Sequence, residues 1–134
     1  MSKSRAGFPP APQLEWAYFL DVDGTLIDIA DTPEAVHIDM ALLGLIAGLQ
    51  QASGGAVALV SGRALAFLEQ RLGKLHLTMA GQHGLERRDA AGRLWTHAAP
   101  PAAKSAIKAE LAPILARHRG LLLEDKGLTL ALHY

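Results

Sequence analysis

Three short apolar runs, each ending on small or polar residues, limit the fold of this chain more than any other feature. They cover about 16–21, 56–60 and 75–80. Continuous apolar runs of this kind are typical of parallel strands covered on both faces, and parallel strands need crossover connections, usually helices. The sequence therefore predicts an α/β fold built on a parallel sheet.

Apolar residues at helical spacing separate these runs and predict the crossovers. The first helix is expected after Pro33 and ends at Gly54-Gly55, because paired glycines stop a helix. The second follows Ser61-Gly62-Arg63 at the end of the middle run. The apolar positions of the two patterns are Ile38, Leu42, Leu45, Ile46 and Leu49, then Leu65, Leu68 and Leu72.

The pattern changes after Gly81. Turn residues at 89–92 predict a hairpin, a helix is expected over about 102–118, and a second hairpin surrounds 125–127. Pro113 is expected to kink or split that helix. Apolar and polar residues alternate in the last strand, which favours an antiparallel sheet with one buried face.

These patterns divide the chain into three parts. Residues 1–14 form a Pro-rich lead-in that we expect to be mobile. Residues 15–97 are expected to form the α/β core, and residues 98–134 the start of an α+β cap. The cap is therefore expected to follow the core directly along the chain.

Composition excludes several classes of protein. Thirteen basic and 13 acidic residues cancel, so no broad basic field is available for nucleic acid or an anionic membrane. No apolar stretch reaches the roughly 20 residues that span a bilayer. The lack of cysteine permits a cytoplasmic location. We expect a cytoplasmic protein that binds neither nucleic acid nor membranes.

The segment Asp21-Val22-Asp23-Gly24-Thr25 directly follows the first apolar run. Ligands of parallel sheets bind beyond the carboxyl ends of the strands. Of two carboxylates placed there, one can attack phosphorus while the other carries a proton, and both offer the hard oxygens that suit Mg²⁺. An acidic turn that caps a helix is the alternative. The strand before the motif and the Leu-Ile pair after it favour the phosphate site.

Residues 21–26 resemble the first motif of the haloacid-dehalogenase-like phosphatases. Residues 61–63 resemble their second motif, and residues 81–86 and 124–127 are similar to the trehalose-phosphatase branch. The resemblance covers about 16–134. It implies a Rossmann-like, haloacid-dehalogenase-type core, incomplete, with the beginning of an α+β cap.

The resemblance also implies an activity and a role for each motif residue. The activity would be Mg²⁺-dependent hydrolysis of a sugar phosphate, namely trehalose 6-phosphate, through an aspartyl-phosphate. Asp21 would be the nucleophile, Asp23 the general acid and base, and the same two residues would hold Mg²⁺. Phosphate would be bound by Gly24, Thr25, Ser61 and Gly62, and the sugar by Arg63, Gln82, His83, Glu124, Lys126 and His133.

Some of these positions have simpler explanations. Arg63 could be a solvated arginine, His83 a structural histidine, and 124–126 an exposed charged turn. The charged segment Glu86-Arg87-Arg88 is interpreted as a solvated hairpin face.

Related phosphatases complete the site with a lysine and an acidic pair from strands that follow the cap, and these have no counterpart before Tyr134. The resemblance therefore implies a truncated chain that is weakly active or inactive alone. An unpaired sheet edge would then favour self-association. The alternatives are a phosphatase for another sugar phosphate, or an inactive fragment that binds a sugar phosphate or a partner chain.

Overall fold

The structure is a computed structural model that describes residues 10–28, 38–97 and 100–134. Five strands form one sheet in the order β1-β2-β3-β4-β5, and two more strands form a separate hairpin. The strands of the sheet are β1 (Tyr18–Asp21), β2 (Val57–Val60), β3 (Thr78–Gly81), β4 (Glu86–Arg88) and β5 (Leu94–Thr96), and the hairpin consists of β6 (Leu122–Asp125) and β7 (Leu130–His133).

The first three strands are parallel, as the apolar runs predict. Asp21 lies beside Val60, and Val60 beside Ala80, so the three strands end in register at one edge of the sheet. The direction then reverses, and β4 and β5 form the antiparallel hairpin predicted around 89–92. The predicted α/β fold is confirmed, and its sheet contains both parallel and antiparallel strands.

Two helices connect the parallel strands: α1 (Met40–Ala52) and α2 (Leu65–Leu72). Asp39 caps the first, because its Oδ1 accepts a hydrogen bond from the Leu42 amide at 2.7 Å. The predicted glycine stop is confirmed: Gly54 and Gly55 have φ values of 62° and 89° and follow Ser53, the C-cap residue of α1. The lead-in up to residue 9 and the segment after Pro33 up to residue 37 lie outside the described residues.

One hydrophobic cluster fills the space between these helices and the sheet. It includes Val57 and Leu59 of β2 and Ile46 of α1, all at most 3% exposed, together with Leu68 of α2. The other face of the described sheet is less covered, since Phe19 is 72% and Val60 40% exposed. The expectation that both faces are covered is therefore wrong for the part of the chain that the structure describes, where both helices contribute to the same cluster.

The third helix, α3 (Pro101–Arg117), packs beside the β6–β7 hairpin. The helix is continuous through Pro113, so the split that the proline could have caused is absent. Asp125 at the end of β6 pairs with the ammonium groups of Lys104 and Lys108 on α3. These cations, Lys108 first, hold the pKa of Asp125 well below its ordinary value. The pairing fixes the hairpin against the start of the helix.

In the described ranges, no helix has both the length and the apolar character that a membrane span requires. Residues 98 and 99, where the core is predicted to give way to the cap, lie outside those ranges. The division into core and cap stays a prediction, and the two-stranded sheet with α3 is consistent with it.

Candidate active site

The candidate site lies where β1, β2 and β3 end side by side. Neighbouring parallel strands are about 4.8 Å apart, so their carboxyl ends bring three short segments together. These segments are residues 21–25 after β1, 61–63 after β2 and 81–83 after β3. The two segments predicted to bind the phosphate therefore meet at one edge of the sheet with the segment that carries Gln82 and His83, which are predicted to bind the sugar.

A tight turn shapes the segment after β1. The Val22 carbonyl accepts hydrogen bonds from the Leu26 and Ile27 amides at 3.0 and 3.1 Å, and the Gly24 amide donates to the Ile27 carbonyl at 2.8 Å. Gly24 has a φ of 75°, which favours glycine over other residues. Val22 is buried, whereas Asp21 and Thr25 are exposed. The turn thus presents the Asp21 carboxylate at the surface, with the Thr25 hydroxyl 3.4 Å from its Oδ2.

Asp23 is held by Arg63 across the strand ends. Nε of Arg63 donates to both carboxylate oxygens, at 2.9 and 2.8 Å, and its Nη2 donates to Oδ1 at 2.6 Å. The guanidinium also lies 4.4 Å above the ring of Phe67 in α2. Arg63 therefore fixes the second carboxylate of the motif, a contact that sequence reasoning did not foresee. Its predicted role as a sugar ligand stays a prediction.

Ser61 and Gly62 form the floor of the site between the two other segments. Ser61 is 3% exposed, and its Oγ accepts a hydrogen bond from the Arg63 amide at 3.1 Å, which leaves the hydroxyl hydrogen able to donate. At Gly62 an added Cβ would lie 2.8 Å from Cε1 of His83. A larger residue at position 62 would therefore require the His83 imidazole to move. His83 itself is exposed, at the rim of the site.

Gln82, predicted as a sugar ligand, is 2% exposed. Its Oε1 accepts hydrogen bonds from the amide and the hydroxyl of Thr129, at 3.0 and 2.8 Å. Its Nε2 donates to Oε1 of Glu86 at 2.8 Å, and the same oxygen accepts the Leu65 amide at 2.7 Å. The Gln82 amide therefore lies between α2, β4 and the β6–β7 hairpin. A sugar-binding role for it stays a prediction.

The interpretation of residues 86–88 as a solvated hairpin face is wrong for two of the three. Glu86 is half-buried and accepts the two hydrogen bonds described above. Arg88 is half-buried too, with Nη2 3.3 Å from the Leu77 carbonyl and Nη1 3.3 Å from Oε1 of Glu69. Only Arg87 is exposed. Glu86 and Arg88 of β4 contact α2 through Leu65 and Glu69, and the helix partly covers them.

The cap residues predicted to bind the sugar come together on the hairpin. Oε2 of Glu124 lies 2.9 Å from Nε2 of His133 and 3.7 Å from Nζ of Lys126. Nζ of Lys126 in turn lies 3.4 Å from the Gly62 carbonyl. We call Glu124, Lys126 and His133 the cap cluster. It contacts the segment after β2, so the predicted sugar-binding and phosphate-binding residues are neighbours.

The donor atoms for a cation are carboxylate and carbonyl oxygens at the end of β1. Within the described residues no three His, Asp or Glu side chains converge on a shared point. Asp21 offers an exposed carboxylate, while the carboxylate of Asp23 is bound by Arg63. Hard oxygens of this kind are the ligand type that Mg²⁺ prefers.

Sequence reasoning missed Thr129 and gave Glu86 no role. Neither carries a local signal, because a threonine in an alternating strand and a glutamate in a charged hairpin are ordinary. Their partners are distant in sequence: Gln82 is 47 residues from Thr129, and Leu65 is 21 residues from Glu86. Such contacts become visible only when the chain is folded.

Comparison with known proteins agrees with this geometry. The model of the trehalose-phosphatase family matches residues 19–134. A protein of Sinorhizobium fredii named "Probable trehalose-phosphate phosphatase" is 45% identical over 119 residues, which are 89% of this chain and 44% of the relative. Trehalose-6-phosphate phosphatase of Escherichia coli is 37% identical over 125 residues, 93% of this chain and 47% of the relative.

The fold is shared with solved structures. The C-terminal domain of trehalose-6-phosphate phosphatase from C. albicans superposes with a TM-score of 0.77 at 22% identity, over 87% of this chain and 41% of that one. Haloacid-dehalogenase-like proteins share it as well, which confirms the predicted fold class. The chain spans about half the length of the curated relatives that it matches. With the family model covering almost all of it, the chain belongs to the trehalose-phosphatase family.

Proposed function

We propose that the protein containing this chain hydrolyses trehalose 6-phosphate to trehalose and phosphate, with Asp21 as nucleophile. The observation that carries the proposal is the pair of carboxylates at the end of β1, beside the Ser61 hydroxyl at the end of β2. One carboxylate is exposed, as a nucleophile requires, and the other is oriented by Arg63. Membership of the trehalose-phosphatase family supports the choice of substrate.

In the first step an Oδ atom of Asp21 attacks phosphorus and the bond from phosphorus to the sugar oxygen breaks. The leaving oxygen takes a proton from the carboxyl group of Asp23, so trehalose departs neutral and an aspartyl-phosphate remains. Thr25 and Ser61 support this step, because their hydroxyls can donate to the phosphoryl oxygens as charge develops there.

In the second step a water molecule attacks the phosphorus of the aspartyl-phosphate. Asp23, now a carboxylate, takes a proton from that water, the bond from phosphorus to Asp21 breaks, and phosphate leaves. The starting state of both aspartates is restored. For each proton transfer Asp23 must exchange at least one of its hydrogen bonds with Arg63, so that pair is expected to rearrange during turnover.

A bound Mg²⁺ would be held by the Asp21 carboxylate and the Asp23 main-chain carbonyl. When present it supplies positive charge next to the transferring phosphoryl group. The described residues provide part of a coordination shell for such an ion. We infer that the activity depends on a metal ion. This donor set suits a hard cation, and the positive charge of Arg63 is already paired with Asp23.

The cap cluster is proposed to contact the sugar. Glu124 offers acceptors and Lys126 donors, and hydroxyl groups of a disaccharide need both. The cluster borders the segment after β2, so a sugar bound there would have its phosphate directed at the strand ends.

Phosphate release from trehalose 6-phosphate by the protein that contains this chain, measured with and without Mg²⁺, tests the proposal. The Asp21→Asn variant should lose turnover by several orders of magnitude and retain substrate binding, because the amide cannot act as the nucleophile. Asp28→Asn is the matched control, since Asp28 is an exposed acid a few residues further along. Equal turnover in the two variants would exclude Asp21 as the nucleophile. Phosphate release that does not depend on Mg²⁺ would contradict the metal requirement and leave the assignment of Asp21 unaffected.

A further inference from the structure

A partly buried chain of hydrogen bonds joins the core to the β6–β7 hairpin. It runs from the Leu65 amide at the start of α2 to Glu86, from Glu86 to Gln82, and from Gln82 to Thr129. The four contacts are between 2.7 and 3.0 Å long. Gln82 at their centre is 2% exposed, whereas Glu86 and Thr129 are half-buried, so the contacts are partly shielded from water.

The chemistry of the partners allows only one orientation of the Gln82 amide. Its NH₂ group faces the carboxylate of Glu86, and its oxygen faces the amide N–H of Thr129. A flipped amide would place oxygen against oxygen and N–H against N–H, with both groups buried and unsatisfied. Gln82 is therefore a fixed connector between a carboxylate in the core and a donor pair in the hairpin.

Thr129 is placed to transmit this fixation to the cap cluster. Its carbonyl accepts a hydrogen bond from the Lys126 amide at 3.0 Å, which closes the turn of the hairpin. The side chain of Lys126 then reaches the Gly62 carbonyl, 3.4 Å away, and approaches Glu124. The hairpin turn is thus held at Thr129 by Gln82 and at Lys126 by the segment after β2.

We propose that Gln82 and Thr129 are a positioning pair that sets where the cap cluster lies relative to the phosphate-binding strand ends. The pair touches neither phosphorus nor the nucleophile, and it acts through the hairpin. The consequence for recognition rests on the proposed function: holding the cap cluster in place favours a long sugar phosphate over bare phosphate. The holding itself does not depend on that function.

Amide hydrogen exchange on this chain tests the pair without any substrate. Gln82→Met keeps the length of the side chain and removes its polar atoms. In this variant the β6–β7 amides should exchange about tenfold faster or more, because two hydrogen bonds to the hairpin are lost, while β1 and β2 change little. Leu72→Val, a substitution in the core cluster, is the control and should affect β1 and β2 at least as much as the hairpin. An equal change in hairpin and core for Gln82→Met overturns the proposal.

Two substitutions at position 129 separate the effect of the hydroxyl group from the effect of side-chain packing. Thr129→Ser keeps the hydroxyl that donates to Gln82, whereas Thr129→Val keeps the shape and loses it. Exchange in β6–β7 should stay near wild type for the serine variant and rise for the valine variant. In a Gln82→Met background the two variants should no longer differ. Equal exchange of both variants in the wild-type background would also overturn the pair.

Binding of two probes connects the pair to recognition. Trehalose 6-phosphate and inorganic phosphate are titrated separately into wild type and Gln82→Met, with amide chemical shifts as the readout. The variant should bind the sugar phosphate about tenfold more weakly and inorganic phosphate equally well. Equal weakening of both probes contradicts selective positioning of the sugar site. If wild type binds neither probe, the proposed function fails, and the exchange measurements still decide whether the pair holds the hairpin.

Discussion

At the scale of single residues, Arg63, which is predicted to bind the sugar, contacts the proposed general acid and base Asp23. Its guanidinium binds both carboxylate oxygens of Asp23 and stacks on Phe67. A planar guanidinium that donates several hydrogen bonds fixes the orientation of the carboxylate, which the ammonium group of a lysine does not do. The two roles for Arg63, holding Asp23 and binding sugar, make different kinetic predictions.

Arg63→Lys retains the positive charge and loses the planar guanidinium. If the residue positions Asp23, kcat should fall about tenfold or more while KM changes little, since proton transfer needs a well-placed carboxylate. If it binds the sugar instead, KM should rise with a smaller change in kcat. Steady-state kinetics with trehalose 6-phosphate distinguishes the two. Arg87→Lys, at an exposed position of β4, is the control and should leave both constants unchanged.

Gly62 is explained by space, and this can be tested by stability alone. An added Cβ would meet the His83 ring at 2.8 Å, so Gly62→Ala should destabilise the fold by about 1–3 kcal/mol. In contrast, no atom lies within 4 Å of a Cβ added at Gly48 in α1, and Gly48→Ala should be neutral or stabilising by up to about 1 kcal/mol. Urea unfolding of the two variants gives both values. A neutral Gly62→Ala would mean that the imidazole simply moves aside.

Single site residues could be predicted where a reactive side chain lies at the end of an apolar run. Asp21, Asp23 and Ser61 end two apolar runs, and the structure brings them to one edge. The sequence also indicates Gln82 as a site residue, but it does not indicate the residues that Gln82 contacts. A side chain that bonds only to residues far along the chain gives no periodic signal, so Glu86 and Thr129 could not be found from the sequence.

At the scale of elements, Asp125 is the acid that joins the β6–β7 hairpin to the lysines of α3. Asp125 accepts from Lys104 and Lys108, and its own Oδ1 also accepts the Gly127 amide at 2.9 Å. The bonded carboxylate is the ionised form, so its contribution depends on pH. Because the pairs are solvent-accessible, added salt should weaken them.

The pKa of Asp125 lies below its ordinary value of 3.8 in the folded chain. The stabilisation is therefore fully present above about pH 4 and is lost as the pH falls further towards the folded value. The difference in unfolding free energy between wild type and Asp125→Asn should be constant near neutral pH and shrink below about pH 4. Urea unfolding over this pH range measures it. Glu110→Gln on the exposed part of α3 is the control, and a difference independent of pH would contradict the ion pairs.

Most elements follow from local pattern. The three parallel strands, the two crossover helices and both hairpins are near their predicted positions, because each has a period or a turn signal of its own. Coverage of the sheet could not be predicted in the same way. An apolar strand such as Val57–Val60 looks the same whether one or two layers cover it, and here Val60 is 40% exposed.

At the scale of the whole molecule, β1 is a terminal strand of the described sheet and carries an exposed aromatic side chain. Phe19 is 72% exposed and lies on the face opposite the core cluster. Terminal strands with apolar side chains tend to pair with other chains. We therefore propose that copies of this chain associate through β1, as the unpaired-edge hypothesis expects.

Sedimentation velocity at increasing protein concentration tests this association. The wild-type chain should shift towards dimers, and Phe19→Lys should shift back towards monomer, because a lysine on a terminal strand opposes pairing. Leu94→Lys on β5, the other terminal strand, is the matched control, since Leu94 is 64% exposed. If both lysine variants behave alike, β1 has no special part in the association.

The reversal of the chain after β3 determines how far the cap can be treated as a separate module. Gln82, His83 and Gly84 have φ values of 47°, 59° and 90°, and this run of left-handed backbone turns β4 back so that Glu86 pairs with Gly81. The same turn aims Gln82 at the hairpin. A cap transplanted from a relative would therefore find its anchor only in a recipient with the same reversal. Grafts should exchange β3, β4 and the hairpin together, because the residue that anchors the hairpin lies in the turn between β3 and β4.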